Sequence, residues 1–487
     1  MPTQTIQPPA RFRRIASWQL SDTVGNGIYN IVTSVLSVLG RTVLFVVGPM
    51  FLDAAHFGVY AYYSWLTGVA SQLGSGGAVQ AAQHFTARYS RDGAQRDFQG
   101  FLFRIGSALT ILAAVIILYA PSAMPRSFVL VALAVLLAGA TSIVSVEQAL
   151  QQAKHDFRQP MLSEAGAQGS RVLLVFGARV AAVISAVALL LVETLSTLVK
   201  GVALFAMRRD VAVDAGAGRS LTSAEKRTVC RYLASITGIA VLNVLLWQRG
   251  EMFFLSIFAT SAETAHFAAG SQLAQLLILA PTAALSSLLP KLSEKAGLNR
   301  DGFHNATNIL LTASVMAALP LYCLTLLVAP LMLKVWRPEY ASIGTIFPPL
   351  MLGKLALVLS APISLALYAS GRQQAVLHVV CASAAVAVAT DYTLIRLYGV
   401  GGASWASAIN QGVTSVATYV AGRRYLPLRL NLQPFTLCFC LIGLLAQIRL
   451  SFTHLSAVSS VGLMLVSVVI FARDPFISRL LMPSLRR

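Results

Sequence analysis

The sequence predicts an all-helical integral membrane protein with about fourteen transmembrane helices. Of the 487 residues, 56% are hydrophobic and 11% are charged, whereas a typical soluble domain has about 25% charged residues. Apolar runs of about 17 to 25 residues recur along the chain, and each is long enough to cross about 30 Å of hydrocarbon as a helix. No large polar segment separates these runs, so we expect a polytopic helical bundle.

The apolar runs define the predicted spans in chain order. They cover residues 27–51, 58–83, 101–120, 127–148, 164–181, 184–206, 232–257, 264–289, 306–328, 344–369, 373–395, 401–421, 434–449 and 455–471. Arg179 is almost the only polar break between the fifth and sixth, so a single long kinked helix is the alternative there. Arg11, Arg13 and Arg14 precede the first run as they would in a signal peptide, but that run exceeds the about 7–15 residues of a signal core. It is therefore predicted to be an uncleaved span.

The positive charge is placed as a membrane topology determinant. The net charge is +19, but the cations lie in short loops rather than on one basic face, which argues against nucleic acid as a partner. Placing the N-terminus in the cytoplasm assigns roughly 25 Lys and Arg residues to cytoplasmic segments and roughly 6 to the other side. With an even number of spans, both termini of this multi-pass membrane protein are predicted to be cytoplasmic.

The longest polar stretch divides the first six spans from the next six. We therefore predict an N-terminal lobe at 1–207, a basic cytoplasmic linker at 208–231, a C-terminal lobe at 232–429, and two further spans with a basic tail at 430–487. In the linker, Thr222–Glu225 reads Thr-Ser-Ala-Glu, which fits a capping box and predicts a short surface helix leading into span seven. Its basic face would suit anionic lipid, and topology alone is the alternative explanation.

An internal repeat places one buried cation at the same point of each half. Arg41 in span one is followed by Ala55-His56-Phe57, and Arg249 in span seven by Ala265-His266-Phe267. A charge at the bilayer centre costs about 2.5–3.5 kcal/mol on insertion scales, so it normally faces protein, a cavity or a ligand. Six helices in each half give parallel repeats, and a pseudo-two-fold axis would set both arginines around a central cavity. The alternative is structural pairing with acids or backbone carbonyls between helices.

Glycine and proline interrupt the second span of each half. Span two contains Gly74, Gly76 and Gly77, and its counterpart span eight contains Pro281. Paired interruptions of this kind often line a transported substrate's site, so these residues are candidates for a hinge or gate. Close helix packing by small residues is the equally weighted alternative.

The position of several other charged residues within the predicted spans indicates a structural role. Glu147, Glu164 and Lys200 lie near predicted span ends and are expected to snorkel to the interface. Glu193 lies two helical turns before Lys200, which predicts a structural pair.

Three further charged residues are candidates for function. Lys354 lies well inside span ten and is predicted to line the cavity with Arg41 and Arg249, where cations would bind an anionic, phosphate-bearing substrate. Glu251 and Asp391 are candidates for coupling to a cation. We find no catalytic motif, no metal-ligand spacing among the five cysteines and histidines, and no cofactor signature, so an enzyme is not expected.

Two hairpins carry a resemblance to a known family. The first is Phe57–Tyr60 followed by Leu73–Gly77 and Ala87–Tyr89, which is similar to a Phe-Gly-x-Tyr loop leading into a glycine-rich span. The second is Arg249-Gly250-Glu251 with Ala268-Ala269-Gly270 and Leu289–Ser293, which contains a Pro-x-Leu-Ser segment. The chain thus resembles the polysaccharide flippases of the multidrug/oligosaccharidyl-lipid/polysaccharide exporter superfamily. It departs from the pattern where Glu251 replaces the usual aspartate and where His266–Ala269 lacks Gly-x-Tyr.

The resemblance implies two six-helix lobes with two extra C-terminal helices. It also implies an undecaprenyl-diphosphate-linked oligosaccharide as cargo, moved from the inner to the outer leaflet of a bacterial inner membrane for exopolysaccharide or O-antigen synthesis. Membrane lipids, a polymerase and glycosyltransferases are the implied partners. Alternatives are a cation-coupled multidrug antiporter and a flippase for the peptidoglycan precursor. A membrane scaffold for polysaccharide enzymes is a fourth reading, but it leaves the buried arginines unexplained.

Overall fold

The computed structural model describes Tyr29 and most of residues 32–428. The exceptions within that range are residues 41, 92, 120–123, 155, 182, 208–218, 248–249, 276–277, 279–300, 313, 315–317, 319–321, 323–335, 337 and 371. Arg41, Arg249, Pro281 and predicted spans thirteen and fourteen therefore lie outside the described residues. Throughout the described part the regular structure is helical, with no β-strand, and six helical segments there are long and apolar enough to cross a membrane. The predicted all-helical membrane fold is confirmed.

Six helices correspond to the first six predicted spans. They are α1 (Val32–Phe51), α2 (Ala54–Arg91), α3 (Gln95–Tyr119), α4 (Phe128–Ala153), α5 (Arg158–Val180) and α6 (Ala186–Ala206). The alternative of one kinked helix for spans five and six is wrong. The chain leaves α5 after Val180, and the hydroxyl of Ser185 caps α6 by accepting a hydrogen bond from the backbone N–H of Ala188 at 3.1 Å.

The next six helices follow the second half of the sequence. They are α7 (Ser223–Trp247), α8 (Glu251–Phe258), α9 (261–275), α10 (301–312), α11 (Ile343–Ala369) and α12 (Gln373–Tyr425). A 3₁₀ turn at Pro338–Ser342 leads into α11. The helical run of α12 contains predicted spans eleven and twelve, and the chain reverses between them at Gly399 (φ 56°, ψ −133°). Span seven is represented by α7 and α8 together.

The predicted capping box at Thr222 is present. The Thr222 hydroxyl accepts from the backbone N–H of Glu225 at 3.3 Å, and the Glu225 carboxylate accepts from the backbone N–H of Thr222 at 2.9 Å. The helix it starts continues to Trp247, so the predicted surface helix is the first part of span seven. The same tetrapeptide recurs at Thr260, which forms an equivalent box with Glu263 at the start of α9. Repeated sequence thus gives repeated local structure.

The two halves pack against each other. Helix α2 meets α7 so closely at Gly77 that a side-chain carbon there would lie 2.3 Å from the Thr237 hydroxyl. Helix α1 meets α9, where the Gln272 amide donates to the Thr42 hydroxyl at 3.3 Å. Helices α1 and α2 of the first half therefore each contact a helix of the second half. The internal repeat stays a prediction.

The glycines of α2 lie inside an uninterrupted helix. A side-chain carbon at Gly74 would lie 1.9 Å from the Thr110 hydroxyl of α3, so both Gly74 and Gly77 sit at close helix contacts. Gly76 is partly buried between them. These contacts account for small residues at two of the three positions, and the hinge function stays a prediction.

Gly399 provides a direct test of the turn inside α12. Its positive φ is unfavourable for any side chain, and an added carbon would also lie 2.7 Å from the Glu263 carboxylate. We expect Gly399→Ala to lower the free energy of unfolding by about 1–3 kcal/mol, measured as a lower Tm of the purified protein in detergent. Gly401→Ala is the matched control, because a side chain there meets no atom within 4 Å. Equal melting of the Gly399→Ala variant and the unaltered protein would contradict this prediction.

Candidate functional site

The predicted charged site residues that are described lie buried on α8, α11 and α12. Lys354 on α11 and Glu251 on α8 are each 4% exposed, and Asp391 on α12 is 2% exposed. Arg41, Arg249 and Pro281 lie outside the described residues, so the proposed cationic clamp is represented here by Lys354 alone. Lys354, Glu251 and Asp391 are therefore buried inside the protein and do not reach its surface.

Glu251 and Asp391 lie close enough for their charges to interact. Helix α8 packs on the first half of α12, where the rings of Phe258 and Tyr392 lie 5.6 Å apart, and Glu251 is close enough to act on the Asp391 charge. Asp391 accepts a hydrogen bond from the Asn410 amide at 2.8 Å across the Gly399 turn. Two buried carboxylates beside an amide form an oxygen-rich site, which suits a proton or a small hard cation.

Lys354 lies where α11 approaches the second half of α12. The neighbouring Gly353 permits this approach, because a side-chain carbon there would lie 3.1 Å from the Ala408 Cα atom. The Ser415 hydroxyl donates to the Ala356 carbonyl at 2.7 Å and continues the same interface. Lys354 therefore lies on a helix that packs against the second half of α12, whereas Asp391 lies on the first half of α12.

At one end of the bundle, the turn between α1 and α2 contacts the segment before α11. The Glu339 carboxylate accepts from the backbone N–H of Ala54, the first residue of α2, at 3.0 Å, and the Trp336 indole donates to the Val46 carbonyl at 3.0 Å. The Tyr340 hydroxyl lies 3.5 Å from the Leu52 carbonyl. We call these six residues the α1–α2 contact. It joins parts of the chain that are almost 290 residues apart.

The repeated tripeptides lie at this same end. Phe57 and Phe267 are fully buried, and Phe57 packs edge-on against Tyr340 with ring centroids 6.3 Å apart. His56 is exposed and pairs with Asp53 at 2.6 Å, whereas the half-buried His266 ring lies 2.9 Å from the Ser342 hydroxyl. The phenylalanines thus pack in the core in both halves. His56 binds a residue of its own turn, whereas His266 binds the segment before α11.

At the opposite end, the start of α7 contacts α2 and α3. The Asp97 carboxylate accepts from the backbone N–H of Leu221 at 2.8 Å and lies 3.7 Å from the Lys226 amine. The His84 ring stacks on Tyr232 with centroids 5.2 Å apart. We call these five residues the α2–α3 contact. The described residues therefore hold the two halves together at both ends of the bundle.

Several charged residues in α4–α6 have partners or burial that differ from the sequence prediction. Lys200 pairs with Glu164 at 2.7 Å and not with Glu193. Glu193 instead accepts hydrogen bonds from the Tyr60 hydroxyl at 3.2 Å and from the Ser64 hydroxyl at 3.0 Å. The expected snorkelling of Glu147, Glu164 and Lys200 is wrong. Helices α4 and α5 extend beyond the predicted spans and bury the two acids, and Lys200 is held by its ion pair with Glu164. Glu147 and Glu164 are 2% and 3% exposed, and the Lys200 side chain is 17% exposed.

Neither of the two end contacts is indicated by a sequence pattern. Glu339 and Asp97 each lie in a short polar segment between predicted spans, where acidic residues are common and carry no signal of a distant partner. Glu339 and Asp97 differ from other loop carboxylates only in that each accepts a hydrogen bond from a backbone N–H of the other half, and this is visible only in the folded structure.

The α1–α2 contact can be tested by distance measurement. We expect Glu339→Gln to weaken it, because the carboxylate stabilises the positive end of α2, and a loss of about 1 kcal/mol changes a two-state ratio roughly fivefold. Electron spin resonance between labels at Ala55→Cys and Ala341→Cys, without the five native cysteines, should show a larger long-distance population. Asp97→Asn weakens the opposite end and should not lengthen this distance. An unchanged distribution in Glu339→Gln would rule out a controlling role for the carboxylate.

Comparison with known proteins relates the chain to others by structure. No family model matches it, and no characterised protein matches it in sequence. A solved structure of the lipid II flippase MurJ in an inward-closed conformation aligns with 93% of this chain and 99% of its own, with a TM-score of 0.69 and 12% identity.

Transporters of the MOP superfamily, the multidrug/oligosaccharidyl-lipid/polysaccharide exporters, also match. An inward-facing multidrug resistance transporter of the MATE family aligns with 82% of this chain and 94% of its own, with a TM-score of 0.58 and 17% identity. A MOP superfamily transporter from Pyrococcus furiosus aligns with 83% of this chain and 95% of its own, with a TM-score of 0.57 and 16% identity. These similarities establish that the chain has the fold shared by MOP superfamily transporters and the lipid II flippase.

Proposed function

We propose that this protein is a flippase for undecaprenyl-diphosphate-linked oligosaccharide repeat units, moving them across the bacterial inner membrane for exopolysaccharide or O-antigen synthesis. The observation that carries this proposal is the extent of the structural similarity. The flippase structure aligns with 93% of this chain, whereas the multidrug transporters align with 82–83%. This similarity supports our choice of a lipid-linked cargo.

Cationic side chains inside the membrane support a diphosphate-bearing cargo. Lys354 is buried within a membrane-length helix, and the sequence places Arg41 and Arg249 in two further spans. A guanidinium binds phosphate oxygens through two parallel hydrogen bonds, and an ammonium acts as a point charge. In the proposed mechanism these three cations hold the diphosphate and charged sugars in a central cavity.

The contacts at the two ends support transport by alternating access. Each is built from a few hydrogen bonds and ring contacts, and a hydrogen bond contributes about 0.5–1.5 kcal/mol net. Breaking one end therefore costs only a few kcal/mol, which is the range of a populated two-state equilibrium. In our proposal the lobes rock so that the α1–α2 contact and the α2–α3 contact open in turn, with the α2–α3 end facing the cytoplasm. The lipid tail would stay in the bilayer beside a lateral opening.

Two other cargoes have specific support. The aligned lipid II flippase favours a peptidoglycan precursor, which shares the lipid-diphosphate chemistry. The buried Glu251 and Asp391 favour a cation-coupled multidrug antiporter, since acidic groups bind cationic drugs. A polymerase and glycosyltransferases are proposed as partners under the first assignment only.

Carrier-lipid analysis of a deletion strain separates these cargoes. We expect sugar-loaded undecaprenyl carrier to accumulate on the cytoplasmic leaflet, and the intact gene to restore export. Arg41→Ala and Arg249→Ala should restore it at least about tenfold less well, because each removes a charge-assisted phosphate contact. Arg300→Ala, in a predicted loop, is the matched control.

Other outcomes of the carrier-lipid and export measurements would favour a different cargo or refute the clamp. Accumulation of peptidoglycan precursor alone would favour the second cargo. Unchanged carrier pools with altered drug sensitivity would favour the antiporter. Normal export by both arginine variants at the expression level of the unaltered protein would leave the arginines as structural residues and refute the clamp.

We further propose that Glu251 and Asp391 couple transport to a cation. Their mutual repulsion is relieved when a proton or Na⁺ lies between them, and Asn410 offers a fixed polar partner at 2.8 Å from Asp391. Because α8 packs on α12 through the Phe258 and Tyr392 rings, with Glu251 on the first helix and Asp391 on the second, binding would tighten the interface between them. Occupancy could thus change the arrangement of the second lobe.

The coupling proposal predicts a cation-dependent stability. In nanodiscs, Na⁺ replacing choline, or a lower pH, should raise the Tm of the unaltered protein, since a ligand at about ten times its Kd stabilises by about 1.4 kcal/mol. Asp391→Asn should abolish the response. Asp301→Asn, at an exposed position on α10, should keep it. Equal responses of Asp391→Asn and the unaltered protein, or no response to either cation, would refute coupling at this site.

A further inference from the structure

A polar cavity of about 420 Å³ lies within the first six helices, apart from the residues assigned to the clamp and to coupling. Four helices, α1, α4, α5 and α6, line it. Its volume is within the range of small-molecule sites, about 300–1,000 Å³. Its apolar lining is limited to Val38, Val144 and Ala167, so it does not suit a lipid tail.

The charged groups of this cavity compensate one another. Glu164 and Lys200 form an ion pair, and Glu193 accepts from two hydroxyls of α2. Arg171 is 6% exposed and donates to the Gln168 amide oxygen at 2.9 Å, while its Nε atom has no partner among the described residues. Two acids and two bases give no net formal charge. The lining therefore does not select a free anion or a free cation, although the Arg171 guanidinium can still donate to a neutral oxygen.

Three of the seven hydroxyl groups that line the cavity are placed to act as acceptors. Thr33, Ser196 and Thr197 donate to backbone carbonyls of their own helices at 2.7, 2.7 and 2.9 Å, which leaves their lone pairs for a ligand. Arg171 and Lys200 supply donors beside them. A complementary ligand must therefore carry donors and acceptors together without net charge, which describes a polyhydroxyl compound such as a sugar ring.

The cavity is connected through α1 to the predicted clamp. Gly40 of α1 lies directly against the Gln168 side chain, because a carbon added at Gly40 would overlap the Gln168 amide oxygen. Arg41 is the next residue in the sequence. The contact with the cavity lining at Gly40 and the predicted phosphate-binding residue are thus adjacent in the sequence, as a sugar and its diphosphate are in a lipid-linked saccharide.

From these observations we infer that the cavity between α1, α4, α5 and α6 is a saccharide subsite that accepts one neutral sugar ring. Assigning that ring to the transported cargo rests on the proposed flippase function. Binding of a sugar by the cavity is independent of that function. The subsite would give specificity for the sugar, while the cations of the clamp bind the diphosphate common to all such carriers.

The test is saturation-transfer NMR on the full-length protein in nanodiscs with glucose, galactose, N-acetylglucosamine and, as an acidic comparison, glucuronate. We expect at least one neutral sugar to bind. Ser145→Leu on α4 fills part of the cavity and should abolish the signal. Thr141→Val removes a lining hydroxyl at nearly constant volume and should weaken binding about tenfold.

Ser170→Leu is the matched control for the first substitution. Ser170 follows the cavity along α5 but lines a separate apolar groove between α5 and α6, so this variant should bind like the unaltered protein. Melting and gel filtration establish that the variants fold. If Ser145→Leu does not fold, Thr141→Val decides the result.

Binding and export together separate the two proposals. No binding of any neutral sugar, or equal binding by Thr141→Val and the unaltered protein, would overturn the subsite. Such a result with normal carrier export would leave the flippase proposal intact. Sugar binding that depends on Thr141, in a protein whose deletion leaves carrier pools unchanged, would support the subsite and refute its assignment to a transported cargo.

Discussion

The need to pair every polar group inside the bilayer determines the arrangement of this protein. With no water available in the hydrocarbon, a buried charge must find a partner, a cavity or a ligand. Lys200 pairs with Glu164, Glu193 binds two hydroxyls, and Asp391 binds Asn410. Each pairing joins two helices, or the two arms of one hairpin, so the satisfaction of charge also fixes which helices are neighbours.

Close helix packing supplies the second constraint. Lipid tails are as apolar as leucine, so helices associate through small residues and short-range contacts rather than through the hydrophobic effect. Gly77 lets α2 approach α7, and Gly353 lets α11 approach α12. The first contact lies between the two halves of the chain and the second within one half. The same physical means thus builds rigid halves and an interface between them.

The interface between the halves is weaker at its ends than the halves are inside. The α1–α2 contact rests on Glu339, Trp336 and Tyr340, and the α2–α3 contact rests mainly on Asp97 and Tyr232. Hydrogen bonds to backbone groups at these ends can be exchanged for water when they open. This property is what a transporter needs, since it permits the halves to separate at one end without unfolding.

The sequence by itself determined the features that depend on local composition. Apolar runs of membrane length identified the helices, the Thr-Ser-Ala-Glu pattern identified a helix start at Thr222, and the repeated Ala-His-Phe tripeptide located equivalent positions whose phenylalanines are both buried. These signals are reliable because helix formation and helix capping involve residues close together in the chain. The sequence also separated spans five and six correctly once Arg179 was treated as a break.

Only the tertiary structure decided which buried groups meet. Lys200 pairs with Glu164, 36 residues before it, rather than with Glu193 on its own helix, and Glu339 meets a backbone N–H 285 residues away. The turn at Gly399, which brings Asn410 to Asp391, is likewise set by a backbone conformation that no periodicity reveals. A side chain's partner depends on how whole helices rotate and cross, and that is fixed by packing across the entire bundle. The sequence therefore named the charges, and the fold determined their partners.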